Sequence, residues 1–247
     1  MYDNVRGVEE EYVKYWTAHL AGYGKVGDFD RILDVGCGTG RYVKELATSG
    51  IRKLVGLDQS KQMLNRAVKL RSSENADWVQ GRCELLPFKQ NTFNTAFMVM
   101  VAHHIPEDAR PGAYSEIYKV LKPGGRLNIL TRSAEQIEDS LIALFPGVSE
   151  IDTVRMPAIP QLKSDLLDAG FSTIIIHNIP NYSIYKNMKT FIERVENKFI
   201  STLTMFEEAD FQRRLEIFKR RLTDRFGDAE ELYDPMEFTL VCAEKSK

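Results

Sequence analysis

The stretch ILDVGCGTGRYVKEL, residues 32–46, places three glycines within five positions, between a short apolar run and a helical pattern. Apolar run, glycines and helix in that order predict a strand, a tight turn and a helix. Lacking Cβ, Gly36, Gly38 and Gly40 permit both the turn and a close approach of a ligand to the backbone. The spacing narrows the ligand. A dinucleotide site has the pattern G-x-G-x-x-G, whereas here the last position is Arg41, and the Gly-Lys-Ser/Thr of a phosphate-binding loop is absent. Instead, Asp34 stands two residues before the first glycine and Asp58 ends the next apolar run, LVGLDQS. A carboxylate at a strand end can accept hydrogen bonds from both hydroxyls of a ribose, and such charge-assisted bonds are strong. A ribose clamp and a glycine wall without a phosphate cradle suit a nucleoside that carries no phosphate.

Outward from this unit the same rhythm repeats. RILDVG is followed by a helix through Leu46, and KLVGLD by a helix over 60–70. ADWVQG, NTAFMVMV, a helix over 108–121 and GRLNILTR come next, then a helix over 161–169 and a strand over 172–179. Strand and helix in alternation predict an α/β fold with parallel strands joined by crossover helices. The run TAFMVMV is apolar at nearly every position, as a central strand covered on both faces requires. In such a sheet ligands bind outside the carboxyl ends of the strands, which is where the glycines fall. Before the sheet, residues 8–20 read as a helix with Tyr12, Tyr15, Trp16 and Leu20 at helical spacing. Over 181–230 there is no strand signal. Met188, Phe191, Ile192, Val195, Phe199, Leu203 and Phe206 recur three to four apart, as do Phe211, Leu215, Phe218 and Leu222, so two amphipathic helices are expected. The strand MEFTLVCAEK then returns to the sheet, which makes 181–230 a helical cap inserted into one domain over 1–247.

The 247 residues carry a net charge of −2 and no block of lysines or arginines, so nothing favours nucleic acid. Cys37, Cys83 and Cys242 are odd in number and widely spaced, with no zinc-ligand pattern among them and the four histidines. Neither a disulfide framework nor a metal site is expected. The N-terminus MYDNVRGVEEEYVKYW is too charged for a signal peptide, and no apolar run approaches membrane-spanning length. The expectation is a soluble cytoplasmic protein, monomer or homodimer, without a membrane or nucleic-acid partner.

LDVGCGTG, GLDQSKQMLNRA, GRCELLPFKQNTFNTAF, HHI and VLKPGGRL, taken together, resemble the class I S-adenosylmethionine-dependent methyltransferases. The similarity is to the small-molecule group that includes the ubiquinone/menaquinone-biosynthesis enzymes, and it runs over residues 30 to about 132. The resemblance implies a Rossmann-like, mostly parallel sheet of seven strands in the family order, with helices on both faces. It also implies S-adenosyl-L-methionine as cofactor and a small organic molecule as methyl acceptor. By the same resemblance, Asp34 orders the methionine amino group, and Gly36, Cys37, Gly38 and Gly40 line its backbone wall. Asp58 holds the ribose, Gln59 and Met63 border the adenine, Cys83 offers its N–H to the ring, and Met100 borders the site. Two positions depart from the family pattern. Arg82 replaces an acidic residue that accepts the adenine amino group, and Asn94 replaces an aspartate. A guanidinium has only donors, so adenine reading is expected to move to Glu84 or to backbone carbonyls.

His103 and His104 fall at the end of the fourth strand, and an imidazole titrates near neutrality, so one of the two is the candidate general base. Adjacent strand residues face opposite ways, so one at most is expected to face the methyl donor. Tyr2, Tyr12 and Trp16 are candidates for an N-terminal lid over 1–28, since aromatic faces attract a sulfonium, with ordinary core packing as the alternative. The arginines and lysines at 213–214 and 219–221 are interleaved with Glu207, Glu208, Asp210, Glu216 and Asp224, which reads as a solvated helix face. Two other readings remain at this point. An RNA or protein methyltransferase would need a basic groove or an added binding domain, and a non-catalytic cofactor-binding protein is left open by Arg82.

Overall fold

A computed structural model describes residues 10–27, 30–49, 51, 53–70, 76–227 and 229–247. In chain order the elements begin with α1 (Glu10–Tyr23), β1 (Arg31–Val35), α2 (Arg41–Thr48), β2 (Lys53–Asp58) and α3 (Lys61–Leu70). There follow β3 (Ala76–Gln80), β4 (Phe93–Val99), α4 (Arg110–Val120) and β5 (Leu121–Thr131). The second half holds α5 (Ala134–Glu138), α6 (Val148–Arg155), α7 (Ile159–Asp168), β6 (Thr173–Tyr185), α8 (Met188–Glu196), α9 (Glu208–Phe226) and β7 (Leu232–Glu244). None of the helices among the described residues is long and apolar enough to cross a membrane.

The chain divides into two compact units. The first, from the described residues of Glu9–Thr131, Pro157–His177 and Thr239–Lys247, holds the sheet. Strand order is β3-β2-β1-β4-β5-β7-β6, with β1 to β5 parallel and β7 antiparallel to β5. Parallel neighbours require crossovers, and α2, α3 and α4 supply them. β4 lies in the middle, and Phe93, Ala96, Phe97 and Met98 are all buried on its two faces, as its unbroken apolar sequence requires. Partnered residues in neighbouring strands share a face, so Trp78, Gly56, Asp34, Phe97, Asn128 and Cys242 form one row across the sheet. That row places a carboxylate, Asp34, beside glycine and aromatic neighbours.

The second unit, Arg132–Met156 with Asn178–Phe238, is mainly helical. Its core holds an aromatic cluster among aliphatic side chains. Phe145 lies 5.5 Å from Phe211, 5.6 Å from Phe218 and 5.7 Å from Phe206, ring centre to ring centre. The unit draws on two stretches of chain, of which periodicity marks only 181–230. β6 runs on to Tyr185, into the segment expected to lack strands, and β7 begins at Leu232, four residues ahead of the expected strand MEFTLVCAEK. The helix expected to run through Phe206 stops at Glu196. Lys198 takes a left-handed conformation (φ 52°), the Phe199 N–H donates to the Arg194 carbonyl, and the Lys198 N–H donates to the Val195 carbonyl. That pair of bonds is a Schellman ending. A short 3₁₀ turn, Ser201–Met205, then keeps Leu203 in the same core.

Candidate functional site

The glycine turn joins β1 to α2, and all three glycines are left-handed, at φ +74°, +56° and +73°. They do not serve the same purpose. A Cβ on Gly36 would stand 2.5 Å from Val101 Cγ2, and one on Gly40 would run into the Trp78 indole. Within 4 Å of a Cβ on Gly38 there is nothing. Two of the glycines are therefore forced by the protein's own side chains, and only Gly38 faces open space. The turn is also tied to β2: the N–H groups of Gly36 and Cys37 both donate to the Leu57 carbonyl, at 2.7 and 3.0 Å. Beneath it the Cys37 thiol is buried, and burial, then Asp34 and Asp58, hold its pKa far above the ordinary thiol range. A thiol kept protonated is unreactive.

Two carboxylates flank the turn. Asp58, at the end of β2, accepts the Gly38 N–H through Oδ2 (2.9 Å) and the Ser60 N–H through Oδ1 (2.8 Å). It therefore fixes the one glycine that faces outward. Asp34 is different: it is buried, its Oδ2 has no hydrogen-bond partner, and its pKa is pushed up to about 7, first by burial and then by Asp58. Buried polar atoms nearly always have partners, so an orphan carboxylate oxygen calls for an explanation. The donor set fits a ligand with a cationic group for Asp34, a body lying along Gly38, and hydroxyls that use the remaining lone pairs of Asp58.

The methyltransferase-domain family matches residues 32–125 of this chain. An uncharacterized methyltransferase of Synechocystis sp. is 33% identical over 173 residues, covering 69% of this chain and 78% of that protein. This chain belongs to the class I S-adenosylmethionine-dependent methyltransferases. Sterol 24-C-methyltransferase ERG6 of Saccharomyces cerevisiae is 35% identical over 116 residues, 45% of this chain, and the chain spans only 29% of that enzyme's length. Among solved structures, YcgJ of Bacillus subtilis superposes with a TM-score of 0.61 at 18% identity, covering 94% of this chain and 99% of that one. Phosphoethanolamine N-methyltransferase 2 of Haemonchus contortus, solved with phosphomonomethylethanolamine and S-adenosylhomocysteine, gives 0.58 at 18% identity, over 97% of this chain and 58% of that one. At such identities these two structures speak to the fold.

In this class I methyltransferase the sequence-marked residues collect at the carboxyl ends of β1 to β4. Gln59 follows Asp58, its carbonyl accepting Gln80 Nε2 at 3.2 Å, and half-buried Met63 lies in the first turn of α3. The Gly81 N–H donates to the Asp58 carbonyl (3.1 Å), holding the turn 82–85 beside β2. There the Arg82 guanidinium is exposed and bonds Glu84 Oε1 at 2.9 Å, while the Cys83 thiol donates to Glu84 Oε2 at 3.4 Å. The hydrogen bond from Arg82 is the main cause holding Glu84 below the usual carboxylate range, and burial pushes the Cys83 thiol up to about 12. Asn94 accepts the Arg31 N–H and Lys122 Nζ, tying three strands at their amino ends.

The histidines are placed differently from the sequence expectation. β4 ends at Val99, Met100 is left-handed (φ 53°), and residues 102–104 form a 3₁₀ turn rather than strand. Alternation across a strand therefore does not apply to them. The rings of His103 and His104 lie together, 4.1 Å between centres, with His103 buried and His104 exposed. Arg110 fixes this turn, its buried Nε donating to the carbonyls of Ala102 (3.3 Å) and Ile105 (3.2 Å). Sequence reasoning passed over Arg110, Val101 and Trp78, because nothing local marks a contact made from another strand end. Trp16 is fully buried, with Tyr12 and Tyr15 against its edge, and Tyr2 lies outside the described residues. Among the described residues no cluster of His, Cys, Asp or Glu could hold a metal ion.

Proposed function

We propose that this chain transfers a methyl group from S-adenosylmethionine to a small organic acceptor. The observation that carries the reading is the buried, partnerless Oδ2 of Asp34 next to the open face of Gly38. An ammonium group is the ligand chemistry that such a carboxylate selects. Asp34 would hold the methionine amino group, Gly38 with Gly36, Cys37 and Gly40 would form the backbone wall, and Asp58 would take the ribose hydroxyls. Gln59 and Met63 would border the adenine, the Cys83 N–H would meet the ring, and Glu84, kept ionised by Arg82, would accept the adenine amino group. Met100 would border the methyl-bearing end. The cofactor supplies an already activated methyl, so the protein's task is alignment, which can contribute about 7–11 kcal/mol. Of the two histidines, exposed His104 is better placed to take a proton from the acceptor, and His103 and Arg110 hold it there. No side-chain nucleophile is required.

The helical unit is assigned the selection of acceptor. Its first stretch, Arg132–Met156, follows β5 in the chain. The compartment expected is the cytoplasm. Calorimetry with S-adenosylmethionine, S-adenosylhomocysteine and NAD tests the cofactor, and labelled methyl transfer into metabolite extracts tests the reaction. Binding of the first two without NAD is the expected result. Tight NAD binding with no response to S-adenosylhomocysteine would overturn the reading.

A further inference from the structure

We infer that Met100 helps to select the methyl acceptor, its side chain meeting the apolar part of that molecule next to the accepting atom. Among the described residues, four other than glycine are left-handed: Lys25, Asn91, Met100 and Lys198. Three of them have ordinary reasons. Lys25 closes α1 as Lys198 closes α8, its N–H donating to the Gly22 carbonyl and that of Val26 to the Ala21 carbonyl. Asn91 is of a type that tolerates the conformation. Met100 closes no helix. It is the step that follows β4, where a residue with a Cβ is strained. The surroundings force that step. Before it, the Met100 N–H donates to the Leu130 carbonyl at 2.8 Å and extends the ladder with β5. After it, Val101 lies against Gly36, and Arg110 Nε holds the carbonyls of Ala102 and Ile105. Strained conformations persist where neighbours over-determine them. None of these contacts uses the methionine side chain, so glycine would make the same step with less strain.

The step also takes that side chain out of the core. Ala96 and Met98 are buried in the core of the sheet unit, and regular alternation would carry Met100 onto the same face. Instead Val101 packs against that core, while Met100 is half-buried and belongs neither to it nor to the core of the helical unit. A large apolar side chain is thus withheld from packing at a position that strains its backbone. Outliers of this kind gather where ligands bind, and this one stands at the carboxyl end of β4, just before the histidine turn. The inference rests on the methyltransferase reading, in which Met100 borders the methyl-bearing end of the cofactor. In a displacement the acceptor approaches the methyl from the side opposite the sulfur, so a residue at that end meets the acceptor. Met100 brings a flexible, polarizable thioether, which adapts to an apolar shape.

Three variants of the full chain test this. Glycine is unstrained in the left-handed conformation, so Met100→Gly should have a higher urea midpoint than Met100→Ala, the reverse of the ordinary order. Affinity for S-adenosylhomocysteine, read by calorimetry, should stay close to that of the unaltered protein in both. With an acceptor found in metabolite extracts, KM should rise about tenfold or more in both, the usual effect of emptying an apolar contact, while kcat changes little. Met100→Leu, of similar volume, should keep KM near normal. A midpoint for Met100→Gly below that of Met100→Ala overturns the inference without reference to any ligand. An unchanged KM in the Gly and Ala variants overturns it too, as does a loss of S-adenosylhomocysteine affinity that matches the rise in KM. Failure of the unaltered protein to bind S-adenosylhomocysteine is a distinct result, which would overturn the methyltransferase reading and this inference with it.

Discussion

The role proposed for Asp34 can be tested by pH, because its buried acid differs in proton affinity between folded and unfolded chains. Its pKa is about 7 folded against 3.8 in the free side chain, chiefly through burial. The folded state therefore binds the proton more tightly, so between about pH 4 and about pH 7 the ligand-free protein should lose stability as the pH rises. An ammonium group reverses the balance, since it favours the ionised carboxylate. Affinity for S-adenosylhomocysteine is thus expected to climb with pH toward about 7, by up to about tenfold per unit, and then level off. Calorimetry from about pH 5.5 to about 7.5 measures the slope, and Asp34→Asn should bind weakly without it. A flat profile for the unaltered protein would place the amino group elsewhere. Asp58 gives a less clean test than its position at a strand end suggests. Its two oxygens hold the N–H groups of Gly38 and Ser60, so removing it would disturb the turn as well as the ribose contact proposed for it.

In the turn between β1 and α2, packing fixes two glycines and leaves the third free for the proposed binding. Alanine at a left-handed position costs roughly 1–2 kcal/mol whatever the surroundings. Gly36→Ala and Gly40→Ala add a collision with Val101 or Trp78, and overpacking adds about 1–3 kcal/mol more. Urea midpoints should therefore fall furthest for these two, whereas Gly38→Ala should fold nearly normally and lose S-adenosylhomocysteine binding. Equal stability losses at all three positions would contradict the division. The turn itself was legible in the sequence, because strand, glycines, Asp34 and Asp58 keep fixed offsets along the chain. The residues pressing on it were not, since Trp78 arrives from the third strand and Val101 from just past the end of the fourth. Short elements hid for a related reason. α5 has five residues and α6 eight, too few to display a helical period, so Arg132–Met156 left no trace. Lys198 ends α8 in a conformation usually marked by glycine, and the apolar spacing running past it concealed the break. The histidine turn was misplaced because Met100, a non-glycine residue, takes the left-handed step that ends β4.

At the scale of the molecule, every candidate cofactor residue belongs to the sheet unit and none to the helical unit, which has a buried core of its own. That separation makes the assignment of acceptor selection to the helical unit testable. Replacing 181–230 by a linker would be a poor experiment, because Phe145 and Val148, on the earlier stretch, share its core. It would also strip Asp234, beyond the insert, of its setting, where it accepts the Leu141 N–H at 2.7 Å. A single core residue serves better. Phe218 is fully buried, 5.6 Å from Phe145 and 5.8 Å from Phe191, between centres. Phe218→Ala removes a ring from that cluster at a cost of about 3–5 kcal/mol, the usual range for a buried phenylalanine. The loss falls on the helical unit. S-adenosylhomocysteine affinity, read by calorimetry, should stay within about tenfold of the unaltered protein. Methyl transfer to an acceptor found in extracts should drop much further, through a raised KM. If the rate with that acceptor is unchanged while the urea midpoint falls as expected, the helical unit does not select the acceptor, and the search moves to Tyr12 and the histidine turn.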